Sequence, residues 1–271
     1  EKAVFTAKSD YGATGIGGYG LVTFTGKEVT INAYVTTGAG KANALGLASR
    51  FNITDTVKNF NINIEGAGQD GPGADGTAGI ATYSDEENNI SCENLFVKVT
   101  AGIDTDNCKF DENNVEYAVT NGISSEGSIK ISENTNTSIN VYDRVKGAVG
   151  IFANTDIDLN GENEYSPGKV VMLGNTIVIA SDSSDILDSK SLYAKKGSSI
   201  EVGSKGKKVK LVGDVVSDGN ILYKNNKYVS NISIIDADFD VTGNFIAQNE
   251  GIINLSGNTT FAADKNRFET D

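Results

Sequence analysis

Short alternations of apolar and polar residues fill most of the chain, and each ends at Gly, Asp, Asn or Ser. A period of two is typical of a half-buried β-strand, and the closing residues favour turns. The pattern predicts an all-β chain of many short strands with little helix. The clearest segments are LVTFTG, EVTINAYV, FNINIEG, LFVKVTAG, SIKISE, SINVYD, KVVMLG, SIEVGS, KKVKLVGD, NISIID, DFDVTG and IINLSG.

A second pattern, an aliphatic pair followed by a small residue and a polar turn, recurs along the chain. GIFANTD begins at residue 150 and NFIAQNE at residue 244. The intervals vary from about 23 to 41 residues, which excludes a rigid array and fits a solenoid with loops of variable length. Related segments are GATGIGG at 12, ALGLASRFNI at 44, AGIATYS at 78, EYAVTNG at 116, SLYAKKG at 191 and ILYKNNK at 221.

Each copy of this phrase is followed by one or two alternating segments, so the unit is three short strands. Three strands per turn predict a parallel β-helix, a β-solenoid of about eight rungs with variable loops. Stacking rungs about 4.8 Å apart buries apolar faces that one rung cannot bury alone. A β-sandwich is the alternative, but it gives no reason for the repeated order. We expect one internal ladder of Ile157, Ile200, Ile232 and Ile253, with Leu159, Val202 and Leu255 also facing inward.

Composition and charge limit the function. The chain of 271 residues has 31 Gly, 2 Pro, a net charge of −13 and a pI near 4.5. Nucleic acid is therefore a poor partner, and we interpret the lysines of GSKGKKVK, 203–210, as a solvated turn. With no histidine, Ser-His-Asp and Cys-His catalysis are excluded within this chain. GISSEG, 122–127, lacks the G-x-S-x-G spacing and is predicted to be a turn.

The two cysteines, Cys92 and Cys108, enclose a loop of about fifteen residues, which a disulfide would stabilise by roughly 3 kcal/mol. Two separate buried thiols are the alternative. Acidic segments border the pair, and loops on a rigid scaffold often carry recognition. The candidate binding residues are Asp85, Glu86, Glu87, Asp104, Asp106, Asp111 and Glu112.

Two further acidic segments resemble metal-binding motifs without completing them. Asp70 and Asp75 lie in GAGQDGPGADGTAG, which is a protruding loop or a calcium loop, although its glycine steps recur every five residues. Asp236, Asp238 and Asp240 are predicted on one face of a strand, where an EF-hand would need glycine at Val241. We expect no cofactor, and calcium is the one ion that these carboxylates would take.

The phrase GIFAN and the strand IDLNG after it resemble the passenger domains of monomeric (type V) autotransporter adhesins of Gram-negative bacteria. The resemblance lies in the repeated order of such segments, without a diagnostic motif, and it extends over the whole chain. It implies a secreted, right-handed β-helix displayed at the cell surface and anchored to the outer membrane by a C-terminal barrel. We expect residues 1–271 to be a single β-helix fragment of a longer passenger, without signal peptide or translocator barrel.

The function that this resemblance implies is adhesion, a virulence-associated attachment to host or neighbouring cells, with no catalysis. The partner would be a cell-surface protein or glycan receptor, with no nucleic acid and no direct membrane insertion. Two alternatives stay open: a polysaccharide-active β-helix enzyme, in which paired acids move the proton, and a vacuolating toxin-type passenger.

Overall fold

The computed structural model describes residues 1–9, 12–17, 20–35, 41–45, 50–66, 77–82, 87–101, 120–143, 148–155, 167–182, 189–223, 225–261 and 268–270. Within these ranges the chain is all-β and contains no helix. Its strands stack in three parallel ladders, and each rung contributes one strand to each ladder. The prediction of an all-β parallel β-helix is confirmed, and the antiparallel sheets of a β-sandwich are excluded.

The first ladder mostly alternates inward apolar residues with outward polar ones. Ile62, Val97 and Ile139 are stacked in register and buried in the core. Its strands are β1 (Lys2–Ser9), β4 (Glu28–Val35), β7 (Asn59–Glu65), β10 (Asn94–Ala101), β13 (Asn136–Asp143), β16 (Thr176–Asp182), β19 (Lys208–Val212) and the second parts of β23 (Asn231–Thr242) and β25 (Ile252–Phe261).

The second ladder is formed by the repeated phrase. Its aliphatic residue, Ile151 or Leu192, points into the core, and the small residue two positions later, Ala153 or Ala194, does the same. Its strands are β2 (Gly12–Ile16), β5 (Lys41–Leu45), β8 (Ala78–Thr82), β11 (Thr120–Ser125), β14 (Ala148–Ala153), β17 (Lys190–Lys195), β20 (Asp214–Asp218), β24 (Phe245–Gln248) and β26 (Phe268–Thr270).

The third ladder closes each rung. It contains the predicted internal stack, in which Ile200, Ile232 and Ile253 are consecutive neighbours. Its strands are β3 (Leu21–Phe24), β6 (Arg50–Ile53), β9 (Glu87–Ile90), β12 (Ser128–Ile131), β15 (Lys169–Met172), β18 (Ser199–Val202) and the first parts of β23 and β25. Eight rungs therefore have a described strand in all three ladders, as predicted.

On three consecutive rungs a glycine precedes the aliphatic residue of the repeated phrase, because the first and second ladders approach closely there. Gly79, Gly122 and Gly150 stand in register on three consecutive rungs. A Cβ on Gly150 would overlap Val178 Cγ1 of the first ladder and lie 2.7 Å from the carbonyl oxygen of Ser191. The glycine on these three rungs therefore reflects a packing requirement at this corner.

Two predictions about the third ladder need adjustment. The place beside Ile200 that was assigned to Ile157 is occupied by Val170 of β15, so the predicted register is wrong at that rung. Ile157 and Leu159 lie outside the described residues. Of the other residues predicted to face inward, Ile200 and Val202 are buried, as expected. Ile253 and Leu255 are half-buried and pack against the core.

Two segments have a different structure from the predicted one. The described residues of ILYKNNK do not form a rung strand: they belong to an antiparallel hairpin of β21 (Asn220–Tyr223) and β22 (Asn226–Val229). Asn225 adopts the left-handed conformation (φ 64°) that such tight turns need and that asparagine tolerates. β20 takes its place in the second ladder. GISSEG is also not a turn, because most of it lies in β11, where Ile123 is buried.

Candidate functional site

The outer face of the first ladder contains an open groove of about 1100 Å³. We call it the ladder-1 groove. It runs across the strands from β10 to β25, and Gly206, in the turn before β19, lines one side. The outward side chains that define it are Phe96, Asn136, Ser138, Asn175, Ile177, Lys208, Lys210, Asp238, Asp240 and Asn258.

These outward side chains form two parallel columns, because strands in register place side chains of one face directly above one another. The first column runs from Phe96 through Ser138 and Ile177 to Lys210 and Asp240. The second column, two residues earlier on each strand, contains Asn94, Asn136, Asn175, Lys208, Asp238 and Asn258.

Asparagine side chains in the second column are linked by hydrogen bonds from rung to rung. Asn94 Nδ2 donates to Asn59 Oδ1 at 3.1 Å, and Asn136 Nδ2 donates to Asn94 Oδ1 at 3.2 Å. Asn175 Nδ2 continues the chain to Asn136 Oδ1 at 3.0 Å. Its own Oδ1 accepts from the backbone N–H of Lys208 at 3.1 Å. The amides are therefore fixed in orientation along the groove.

Two apolar side chains stand out from this polar face. Phe96 is 44% exposed and Ile177 is 43% exposed, and they lie in the same column with Ser138 between them. A ring and a branched aliphatic chain on a rigid outward column lose little conformational freedom on binding a ligand. They form the apolar end of the groove.

The opposite end of the groove is charged but locally balanced. Lys208 stands beside Asp238 on the next rung, and Lys210 stands beside Asp240. Asn258 Nδ2 donates to Asp238 Oδ1 at 3.1 Å, which orients that carboxylate. Opposite charges in directly neighbouring strand positions attract, so this end presents donors and acceptors without a strong net field.

Comparison of the chain with models of known protein families, with characterised proteins and with solved structures returns no match. Inference about function therefore rests on the residues of the groove. Within the described ranges, no helix combines the length and apolar character needed to cross a membrane.

The structure separates the three aspartates that the sequence grouped together. Asp238 and Asp240 are exposed in the ladder-1 groove, with Phe239 buried between them as predicted. Asp236 is also exposed, but its φ of 48° and a register shift place it at the corner before that part of β23. Among the described residues, no group of three or more His, Cys, Asp or Glu side chains is arranged to hold a metal ion.

The calcium hypothesis for the other acidic motif is untested, because Asp70 and Asp75 lie outside the described residues. The acidic loops are described at one position only: Glu87 is exposed at the first position of β9. The remaining candidates of those loops lie outside the described ranges, namely Asp85, Glu86, Asp104, Asp106, Asp111 and Glu112.

Cys92 lies just before β10, as predicted, and its side chain is fully buried in the core. Burial raises the pKa of the Cys92 thiol to about 12, because the thiolate would lose its hydration there. Its carbonyl oxygen accepts a hydrogen bond from the Thr135 hydroxyl at 2.7 Å. Cys108 lies outside the described residues, so the disulfide stays a prediction.

The asparagine column and Phe96 were missed by sequence reasoning. A signal for the column existed, since asparagine stands at the same point of four consecutive segments, NFNINIE, NLFVKVTA, NTSINVYD and NTIVIASD. Phe96 carried no comparable signal. It is one outward aromatic residue in an alternating strand, and its role depends on neighbours that are about 40 residues away in each direction.

Proposed function

We propose that this chain is an adhesin: a surface-displayed passenger β-helix of a Gram-negative bacterium that attaches to host or neighbouring cells through the ladder-1 groove. The observation that carries the proposal is the groove itself. It combines apolar surface, oriented amides and balanced charges on one face of a rigid scaffold. Concave sites with apolar walls and a few fixed polar groups are the usual form of a ligand site.

Rigidity supports a binding role. Most groove side chains come from β10, β13, β16, β19 and β23, strands that are each hydrogen bonded to a rung on either side, so their backbone is held before any ligand arrives. A site that is already ordered loses less entropy on binding than a site on free loops. A rod of stacked rungs also holds such a site away from the surface that carries it.

Cell attachment tests the proposal directly. Labelled protein would be incubated with cultured epithelial cells and with bacterial cells, and bound label would be measured against protein concentration. We expect saturable binding by the parent protein and at least about tenfold weaker binding by the double variant Phe96→Ala, Ile177→Ala.

The matched control is Phe152→Ala, which removes a half-buried ring from the outer face of the second ladder, where it packs against Tyr193. We expect this variant to bind cells as the parent does. If the parent protein binds neither cell type, the adhesin proposal fails. If the groove variant and the control bind equally well, the adhesive surface lies elsewhere.

One observation favours a second candidate, a polysaccharide-active enzyme. Asp238 and Asp240 project from one strand face two residues apart, which separates their Cα atoms by about 7 Å. Side chains that leave one strand face in parallel keep roughly this separation, and inverting glycosidases hold their two carboxyl groups about 6.5–9.5 Å apart. Incubation with polysaccharides and detection of new reducing ends tests this candidate. Activity that Asp238→Asn and Asp240→Asn each abolish would establish it.

A further inference from the structure

We infer that the ladder-1 groove binds an uncharged, linear glycan that lies along the axis of the β-helix, with about one sugar ring per rung. This inference rests on the proposed function and names the receptor class of the same groove. Four kinds of observation support it: the period of the groove, its apolar surface, its amides and its charge balance.

The groove is periodic, and a regular polymer suits a periodic site. Neighbouring rungs are about 4.8 Å apart, so the column from Phe96 to Asp240 spans roughly 20 Å over four rung steps. A chain of pyranose rings in an extended conformation advances by a similar distance per ring. The column therefore accommodates roughly four to five rings at regular spacing.

The apolar residues match the carbon faces of sugar rings. Phe96 offers a ring face and Ile177 a branched aliphatic chain, each more than two-fifths exposed. Aromatic rings contribute large contact areas with little loss of side-chain entropy, and they contact C–H groups favourably. Ser138, which lies between them, leaves room over the middle rung and supplies a hydroxyl group.

The amides match sugar hydroxyl groups, which donate and accept hydrogen bonds at once. An asparagine side chain has two N–H donors and an oxygen with two lone pairs. Asn175 uses one N–H toward Asn136 and one oxygen lone pair toward the Lys208 N–H. Its second N–H and second lone pair are in excess of what the asparagine column requires, and the side chain is exposed.

Charge selects an uncharged glycan over an acidic one. The two lysines of the groove each stand beside an aspartate, so the charged end has no excess of positive charge. The chain as a whole has a net charge of −13, which repels sulfated and sialylated polymers. Binding that depends on hydrogen bonds and apolar contact also predicts little dependence on salt concentration.

The experiment is a glycan array that carries uncharged linear oligosaccharides of graded length beside sulfated and sialylated ones. We expect the full chain to bind uncharged linear oligosaccharides, with affinity rising up to roughly four or five rings and then levelling. For an oligosaccharide that binds, titration calorimetry would give the effect of each variant. We expect about tenfold weaker binding for Phe96→Ala and for Asn175→Ala.

Two matched controls keep the result interpretable. Phe152→Ala removes a ring from another outer face, and Lys98→Ala changes an exposed residue of β10 beyond the residues that line the groove. Both should bind as the parent does. Circular dichroism of every variant would verify that the β-helix is intact.

The outcomes separate this inference from the proposed function. Binding of only sulfated or sialylated glycans, a blank array, or unchanged affinity in Phe96→Ala and Asn175→Ala would each overturn it. If the array is blank but the parent protein still attaches to cells, adhesion stands and the receptor is not an uncharged glycan. If both assays are negative, the adhesin proposal falls as well.

Discussion

The second ladder and the outer face of the first ladder use the same rungs in opposite ways. At the aliphatic position of the second ladder, every neighbour is again large and apolar: Ile80, Ile123 and Ile151 are stacked and fully buried. On the outer face of the first ladder, Phe96 is followed by Ser138. Repetition marks positions that the core restricts, and variety marks positions that are free to serve a ligand.

The asparagine column lies between these two cases, because it is repeated and also faces outward. Its repetition has a physical cause: each amide is hydrogen bonded to the amide of a neighbouring rung. The column therefore contributes to the stability of the stack and at the same time forms one wall of the groove. Substitutions in the core, at the glycine corner, in the asparagine column and in the ladder-1 groove would show how much each region contributes to stability or to binding.

The largest effect is expected in the third ladder. Ile200→Asp would place a carboxylate between Val170 and Ile232, where no water reaches the side chain. We expect a loss of at least about 4 kcal/mol in the free energy of unfolding, measured by urea denaturation. Glu201→Ala is the control, because the next residue of β18 is only half-buried, and it should cost less than about 1 kcal/mol. Equal effects would contradict the assignment of Ile200 to the core side of β18 and of Glu201 to the outer side.

A smaller effect is expected at the corner where the ladders approach. Gly150→Ala places a Cβ against Val178 and the Ser191 carbonyl group, and we expect it to cost about 2–3 kcal/mol. At Gly20 a Cβ would meet no atom within 4 Å, so Gly20→Ala should change stability by less than about 0.5 kcal/mol. Thermal unfolding of the two variants beside the parent would measure the difference. A neutral Gly150→Ala would contradict the close-packing explanation of the glycines at this corner.

A still smaller effect on stability is expected in the asparagine column. Asn136→Ala removes one hydrogen bond that the side chain donates to Asn94 and one that it accepts from Asn175. Because water replaces part of the loss at an exposed site, we expect a cost of about 1 kcal/mol in urea denaturation. Asn140→Ala, at another exposed position of β13, should cost less than half as much. If both cost the same, the column adds no stability of its own.

Sequence patterns predicted the strands better than the partners of those strands. The alternation in SIEV and NISI correctly predicts inward Ile200 and Ile232, because core and solvent act on each strand locally. The register predicted around Ile157 is wrong, because several alternating segments could occupy the third ladder and the loop lengths vary. The prediction of ILYKNNK as a rung strand is wrong because an aliphatic pair before a polar turn also suits a hairpin.

Only parts of the ladder-1 groove could be predicted from the sequence. Asp238 and Asp240 were recognised as one outward face. The lysines of 203–210 were predicted to form a solvated turn, but only Lys205 and Lys207 precede the strand, since Lys208 and Lys210 belong to β19. What sequence did not show is that Lys208 and Lys210 stand beside those aspartates on the next rung. That proximity depends on register across about 30 residues, which no local pattern contains.

The smallest expected effect on the fold concerns Cys92, a buried thiol whose reaction with a soluble reagent can be measured. In a Cys108→Ser background, Cys92 is a single thiol that is fully buried and whose pKa is raised by burial to about 12. At pH 8 only a fraction on the order of 10⁻⁴ would be thiolate in the folded protein. We expect iodoacetamide to label the denatured protein at pH 8 but to leave the native protein almost unlabelled. Stability should fall as pH rises from the ordinary thiol value of 9.0 towards 12, because the unfolded chain then gains the thiolate that the folded core disfavours.

An exposed thiol provides the comparison for this last test. The variant Lys98→Cys places a cysteine on the outer face of β10, the strand that follows Cys92. In a background that also has Cys92→Ser and Cys108→Ser, this cysteine should be labelled rapidly in the native state. Equal labelling rates for the two native proteins would mean that Cys92 faces solvent, against the observed burial.

The parent protein, denatured without reductant, shows whether Cys92 and Cys108 form a disulfide. If it shows no free thiol, Cys92 and Cys108 are bonded, and the bond must reach into the core because Cys92 has no exposed surface. Two free thiols would instead leave Cys92 as a small, largely apolar residue that fills space in the core.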